Sequence, residues 1–276
     1  MKKILVPCDF SVPSIEAFKF AIDMASQSEG QVILLNVVEL PKMHDTMMPV
    51  MDYEMSFFNE LKKTAEKHFD KIRKHAVDKN VKTTTLVELG SIQHSIIRIA
   101  EEKKVDLIVM GTHGASGVRE LFIGSHTDKI VRNAPVPVIA IHKSTKVKMI
   151  KHIVFPTHLS LTEGKLVKQV NKLQEFFSAK LHLLVVNTPG NMKRTTDEEL
   201  GISEYAEYYK LENFTINTRN DFTVESGITE FTHEIKADMI AMGTHGRKGL
   251  AHFFLQSIAE DVVNHADCAV WTFVTK

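Results

Sequence analysis

The chain has 276 residues, and its 34 lysines and arginines offset 34 aspartates and glutamates, so the formal charge is zero before any of the 14 histidines is counted. That balance excludes a surface that holds nucleic acid through a basic surplus, and it excludes a disordered chain of low hydrophobicity and high net charge. At 43% hydrophobic and 25% charged residues the composition is that of a globular protein, long enough for one large domain or two of average size.

The N-terminus carries Lys2 and Lys3 before an apolar run at 4–7 that is too short for a signal peptide. No window holds eighteen uncharged apolar residues, so neither export nor membrane spanning is expected. Cys8 and Cys268 stand far apart without a C-x-x-C pair, which fits neither a disulfide scaffold nor a zinc site and points to a reducing cytoplasm. Residues 4–6 form the first apolar run, and Ile15, Phe18, Ile22 and Ala25 follow at spacings of 3, 4 and 3, the single stripe of a helix packed on a sheet. A second run covers 32–38.

Beyond it, Met43, Met47, Met48, Met51 and Met55 precede Phe57 and Phe58. Flexible thioethers suit a segment that covers a ligand or docks a partner, and a long amphipathic helix packed on the sheet is the plain alternative; a copper site through His44 is more remote. Residues 81–89 read as a weaker strand, 107–110 as a fourth strand and 136–141 as a fifth. Near-continuous apolar runs separated by helices imply parallel strands buried on both faces, with right-handed crossovers.

The chain then repeats itself. Residues 106–114, Asp-Leu-Ile-Val-Met-Gly-Thr-His-Gly, return at 238–246 as Asp-Met-Ile-Ala-Met-Gly-Thr-His-Gly, displaced by 238 − 106 = 132. Ile4 aligns with Ile153, displaced by 149, so the second copy is shorter by 149 − 132 = 17. A shift of 137 between Gly90 and Gly227 divides that loss into 12 residues between the second and third strands and 5 around the following helix. The second copy's first helix shows the same stripe in Leu166, Val170, Leu173 and Phe177. With a boundary near Lys146, domains at 1–146 and 147–276 each hold about five strands and four helices, an open doubly wound α/β fold whose ligand site lies at the carboxyl ends of the strands.

After the fourth strand the first copy reads Gly111-Thr112-His113-Gly114, then Gly117, Gly124 and Ser125, glycines at a strand end before a helix start. Glycine lets backbone N–H groups approach a phosphate, Ser125 offers a hydroxyl, and a helix N-terminus adds partial positive charge. The plain alternative is a glycine-rich turn with Ser125 as N-cap. The run is neither a Walker A loop nor the dinucleotide fingerprint, which belongs after the first strand.

This arrangement resembles the universal stress protein family, whose nucleotide-binding members carry G-x2-G-x9-G-[ST] after the fourth strand and an Asp after the first. Gly111, Gly114, Gly124 and Ser125 match that motif, and Asp9 in Pro7-Cys8-Asp9-Phe10-Ser11 matches the acid that contacts the ribose. Val37 aligns with the second-strand residue whose backbone meets adenine, and Met110 and His126 flank the motif on either side. The resemblance covers both copies and implies Rossmann-like five-stranded parallel sheets of order 3-2-1-4-5, related to adenine nucleotide alpha hydrolases, with ATP as ligand and a Mg²⁺ ion able to accompany it. It also implies that the copies pair through their last strands, 136–141 and 268–273, leaving further homodimerisation and any protein partner open. For Asp9 the plain alternative is an N-cap of the first helix, a role open also to Ser11.

The second copy departs from this pattern. His158 stands at the position of Asp9, where it is bulkier, is not a carboxylate acceptor and can carry positive charge. Gln256 replaces Gly124, obstructing backbone approach to a phosphate, while Gly243, Gly246 and Ser257 remain. Arg247 and Lys248 read as a solvated pair or as an anion attractor. Poor ATP binding and a structural or regulatory role are therefore expected of residues 147–276. His113 and His245 recur in both copies and read as loop-fixing residues, and Cys8, beside an acid that raises a thiol pKa, reads as a small buried residue closing a strand.

A nucleotide-regulated stress-response protein is the leading reading. A slow ATPase or nucleotidyl-transfer enzyme is the alternative, against which the loop offers Arg119 and His113 but no base for water. Divided at Lys146, residues 1–145 carry 19 basic and 18 acidic side chains and the remainder 15 and 16, so no charged nucleic-acid surface hides inside the neutral total.

Overall fold

A computed structural model of the chain describes residues 1–39, 50–112, 125–142, 145–190, 195–245 and 252–275, and of these only the backbone at 50–55, 125–126, 195–199, 245 and 252–257. The first half runs β1 (Lys3–Pro7), α1 (Val12–Gln27), β2 (Gln31–Val38), α2 (Val50–Ile72), α3 (Lys74–Asp78), β3 (Lys82–Leu89), α4 (Ile92–Glu102), β4 (Leu107–Gly111), α5 (Ser125–Asn133) and β5 (Val138–Ile141). The second runs β6 (His152–Pro156), α6 (Gly164–Phe177), β7 (Lys180–Asn187), α7 (Thr195–Tyr208), β8 (Phe214–Asn220), α8 (Val224–Glu234), β9 (Met239–His245), α9 (His252–His265) and β10 (Ala269–Thr275). Met51 and Met55 lie in the backbone of α2, whereas Met43, His44, Met47 and Met48 fall outside the described residues.

The described strands make one ten-stranded sheet of order β3-β2-β1-β4-β5-β10-β9-β6-β7-β8. Each half is parallel with order 3-2-1-4-5, and the halves meet where β10 runs antiparallel to β5, Trp271 opposite Ile139 and Val270 opposite Ala140. Two edges that would each present unpaired backbone groups thus cover one another. On the face carrying α1 and α6 the apolar core is continuous across this seam, from Phe18 and Ile22 through Ile139 and Trp271 to Leu166 and Phe177. The opposite face holds two separate cores, one around Ile33, Ile96 and Ile130 and one around Leu184, Ile228 and Val262.

Two features differ from the sequence expectation. The buried face of α1 is wider than the four-residue stripe, since Phe20 and Met24 are buried as well. The cause is a second cover: α3 packs beside α1, and Ala76 and Phe69 join the same core. The shortening of the second copy is also not divided around a helix. Val32 pairs with Thr83 and Leu181 with Phe214, so the offset falls from 181 − 32 = 149 to 214 − 83 = 131 before β8 ends. From α4 to α8 it is 224 − 92 = 132, so the whole loss lies between the second and third strands, less one residue restored at the following turn. Gly90 and Gly227 are not equivalents. Gly90 sits at φ +136°, a strand-exit conformation that favours glycine, whereas Gly227 lies inside α8, where an added Cβ would come within 2.4 Å of Val186 Cγ1.

The second half carries a histidine pair at the amino ends of its strands. His182 is 9% exposed, its Nδ1 lies 2.7 Å from the Thr215 hydroxyl, and its Nε2 lies 3.0 Å from His152 Nδ1. One shared proton joins the two rings, and a second breaks the bond. Burial, then the nearby His152 and Lys180 charges, push the His182 imidazole below its ordinary value. A base held neutral in the fold takes up fewer protons than it does unfolded, so its contribution to stability is present above about pH 6.5 and is lost as pH falls below it. His182→Gln is therefore expected to narrow the difference in thermal midpoint between pH 7.5 and pH 5, and a difference unchanged from wild type would rule this out.

Candidate functional site

In a sheet of order 3-2-1-4-5 the crossover direction reverses between β1 and β4, which opens a crevice at their carboxyl ends. At the end of β1 the Cys8 N–H donates to Leu35 O at 2.8 Å, and Asn36 Nδ2 donates to Cys8 O at 2.8 Å, so the chain stays on β2 just past the end of β1. Cys8 is 4% exposed and 3.5 Å from the Ser14 hydroxyl, and burial above all pushes its thiol up, away from reactivity.

Asp9 is exposed, and its Oδ1 accepts from the Ser11 N–H at 3.0 Å and from the Ser11 hydroxyl at 2.5 Å. Ser11 is the N-cap of α1, accepting from the Ser14 N–H, so Asp9 is not the helix cap. Its carboxylate is oriented by an Asx turn at the crevice. Between them Phe10 takes the left-handed conformation at φ 65°, which costs a non-glycine residue about 1–2 kcal/mol. The His68 and Phe69 rings of α2 hold it there, with centroids at 4.9 and 5.2 Å.

Val37, half-buried near the end of β2, packs on the core beneath α4. Met110 is 5% exposed and its side chain belongs to that core, so only its main chain reaches the crevice. Gly111 ends β4 where Pro13 of α1 closes in: an added Cβ would lie 2.7 Å from the Pro13 carbonyl carbon. Gly114 and Gly124 lie outside the described residues. Ser125 and His126 open the backbone of α5. The structure therefore brings Asp9, Val37, Met110, Gly111, Ser125 and His126 to one edge of the sheet.

Two threonines that the motif reading passed over fix this edge. Thr127, in the first turn of α5, donates its hydroxyl to Gly111 O at 3.2 Å, tying the helix start to the strand end. Thr112 is fully buried; its N–H donates to Ile141 O at 3.2 Å and its hydroxyl meets His142 Nδ1 at 3.2 Å. A hydroxyl two residues into the helix after the motif serine was the available signal.

The second copy keeps the left-handed turn after its first strand and changes the chemistry around it. Leu159 repeats the left-handed turn at φ 63°, and the Thr157 hydroxyl accepts from the Leu159 N–H at 3.0 Å. His158 is not held out toward an anion: its Nε2 lies 3.5 Å from Glu163 Oε1. Glu163 occupies the place of Ser14 (163 − 149 = 14), its side chain is 10% exposed, and burial pushes its carboxyl up against the opposing pull of His158. Gly246, Arg247 and Lys248 fall outside the described residues, and of Gln256 and Ser257 only the backbone in α9 is described. Among the described residues no group of three or more His, Cys, Asp or Glu is placed to hold a metal ion. None of the described helices is long and apolar enough to cross a membrane.

A family model described as the universal stress protein family matches residues 1–142 and again 149–273. The chain is 33% identical over 145 residues to the universal stress protein MJ0531 of Methanocaldococcus jannaschii, covering 52% of this chain and 84% of that one. It is 29% identical over 144 residues to the universal stress protein YxiE of Bacillus subtilis, covering 50% of this chain and 97% of that one. Among solved structures, a universal stress protein from Archaeoglobus fulgidus superposes with a TM-score of 0.78 at 19% identity, over 98% of this chain and 97% of that one, a likeness of fold along the whole tandem.

Proposed function

The chain belongs to the universal stress protein family, and we propose that its first domain, residues 1–146, holds one ATP as a regulatory ligand while the second, residues 147–276, holds none. The carrying observation is convergence: the Asp9 carboxylate follows β1 and the start of α5 follows β4, the two strands at the switch point of the sheet, and the sequence leading into α5 matches a glycine-rich nucleotide motif. The groups fit the ligand. An exposed carboxylate oriented by Ser11 suits ribose hydroxyls, helix-terminal N–H groups suit phosphates, and phosphate oxygens supply most of the ligands of a Mg²⁺ ion. In the second domain the His158–Glu163 pair satisfies itself where the acceptor would stand, which supports a structural or regulatory part for that half. Two free thiols, both raised in pKa by burial, suit a cytoplasmic protein.

Mass spectrometry of the purified full chain after denaturation should release ATP, and calorimetric titration of the stripped chain should give one site. Asp9→Ala should lower affinity by about tenfold through loss of charge-assisted hydrogen bonds. Two sites of equal affinity would sink the assignment of the second domain, and no binding would sink that of the first.

A further inference from the structure

The seam between the domains carries a charge cluster that the motif reading does not use. Arg132 on α5 donates through Nε to Asp128 Oδ1 at 3.1 Å and through an NH₂ group to Glu260 Oε2 on α9. The repeat explains its composition. Because 260 − 128 = 132, the offset that relates the glycine motifs, Glu260 is the second copy's Asp128. The same offset places Asn264 at the position of Arg132 (264 − 132 = 132). A two-fold arrangement of identical copies would supply two guanidinium groups for two carboxylates, and this chain supplies one.

The cluster is also continuous with the proposed phosphate end of the first domain. Ser125 opens α5, Thr127 ties it to the Gly111 carbonyl, and Asp128 places a negative charge in the same first turn. We propose that Asp128, Arg132 and Glu260 form a proton-operated control on nucleotide binding: a proton on Glu260 releases Arg132 wholly to Asp128, which lowers the negative potential facing the phosphates and raises affinity. The proposal rests on the nucleotide reading of the first domain.

The surroundings set where the control acts. Burial, then the Asp128 charge, push the Glu260 carboxyl up to about 7, with Arg132 opposing and Asp261 adding to the rise. Glu260 Oε1 is buried and has no hydrogen-bond partner among the described residues. α8, packed on α9, sends Glu225 to His265 at 3.0 Å instead. β9 and β10 beneath bring no charged side chain among the described ones. By linkage, bound ATP should in turn hold the proton on Glu260 more tightly.

The test is ATP titration of the full chain between pH 6 and 8.5, comparing wild type with Glu260→Gln; the nucleotide's own phosphate titration is common to both. Expected is equal affinity at pH 6 and about threefold tighter binding by E260Q at pH 8, the size of one screened charge. Asn264→Arg, which gives Glu260 its own guanidinium, should likewise bind more tightly than wild type at pH 8 and serves if E260Q does not fold. A readout without nucleotide accompanies these. A carboxyl whose pKa is raised in the fold contributes stability fully present below about pH 4.5 and lost as pH rises through about 7. E260Q should therefore melt above wild type at pH 8 and not at pH 5. Affinities that run parallel across the range overturn the control and leave the nucleotide site standing, whereas no binding by wild type at any pH overturns the site and the control together.

Discussion

Gly124→Gln in the full chain is expected to lower ATP affinity by at least about a hundredfold with the thermal midpoint nearly unchanged, because the substitution copies into the first domain the residue that the second carries as Gln256. The reasoning is one of reach. A triphosphate held by backbone N–H groups needs the main chain within hydrogen-bond distance of its oxygens, and a side chain at that glycine stands between them. The second copy carries glutamine at the aligned position, Gln256, inside the formed helix α9 that begins at His252, so glutamine there is compatible with a helix. Calorimetry with circular dichroism separates the outcomes: retained affinity removes the glycine from the site, and lost affinity with a collapsed melting curve would make the position structural instead.

The sequence carried the architecture because the signals for it are local and repeated. Apolar runs at 32–38 and 107–110 lie inside β2 and β4, and two copies of one pattern make the strand assignments check each other. What was not legible depends on neighbours distant in the chain. The width of the buried face on α1 is decided by α3, some fifty residues away, and the equivalence of Gly90 and Gly227 fails because only strand register, not glycine identity, fixes which residues correspond. At the candidate site, residue type and spacing were enough to propose Asp9 and the glycine motif. The pairing of His158 with Glu163 could not, because it depends on how α6 begins relative to a left-handed turn at Leu159. The choice of Ser11 over Asp9 as helix cap belongs with it, since both residues are good caps and only the backbone decides.

The sequence reads Gly111 as part of a candidate phosphate motif, and the structure gives glycine there a separate reason. An added Cβ would meet Pro13 at its carbonyl carbon, its Cβ and its carbonyl oxygen, at 2.7, 2.8 and 2.8 Å. Those atoms are backbone and ring at the start of α1, with no rotamer that moves them aside. Gly111→Ala should therefore displace the N-terminus of α1 and cost about 2–3 kcal/mol of stability, at the upper end for overpacking. Ser11 and Asp9 sit on the same turn as Pro13, so nucleotide affinity should fall with it. Gly243, the same position of the second copy, gives the control: there the added Cβ lies 2.8 Å from Leu166 Cδ2, the far end of a flexible side chain. Leu166 can turn away, and Gly243→Ala should cost less than about 1 kcal/mol. Urea denaturation of both variants compares two glycines of one motif directly. Equal losses, or a larger loss at Gly243, would mean that close approach of α1 is not what holds glycine at the end of β4.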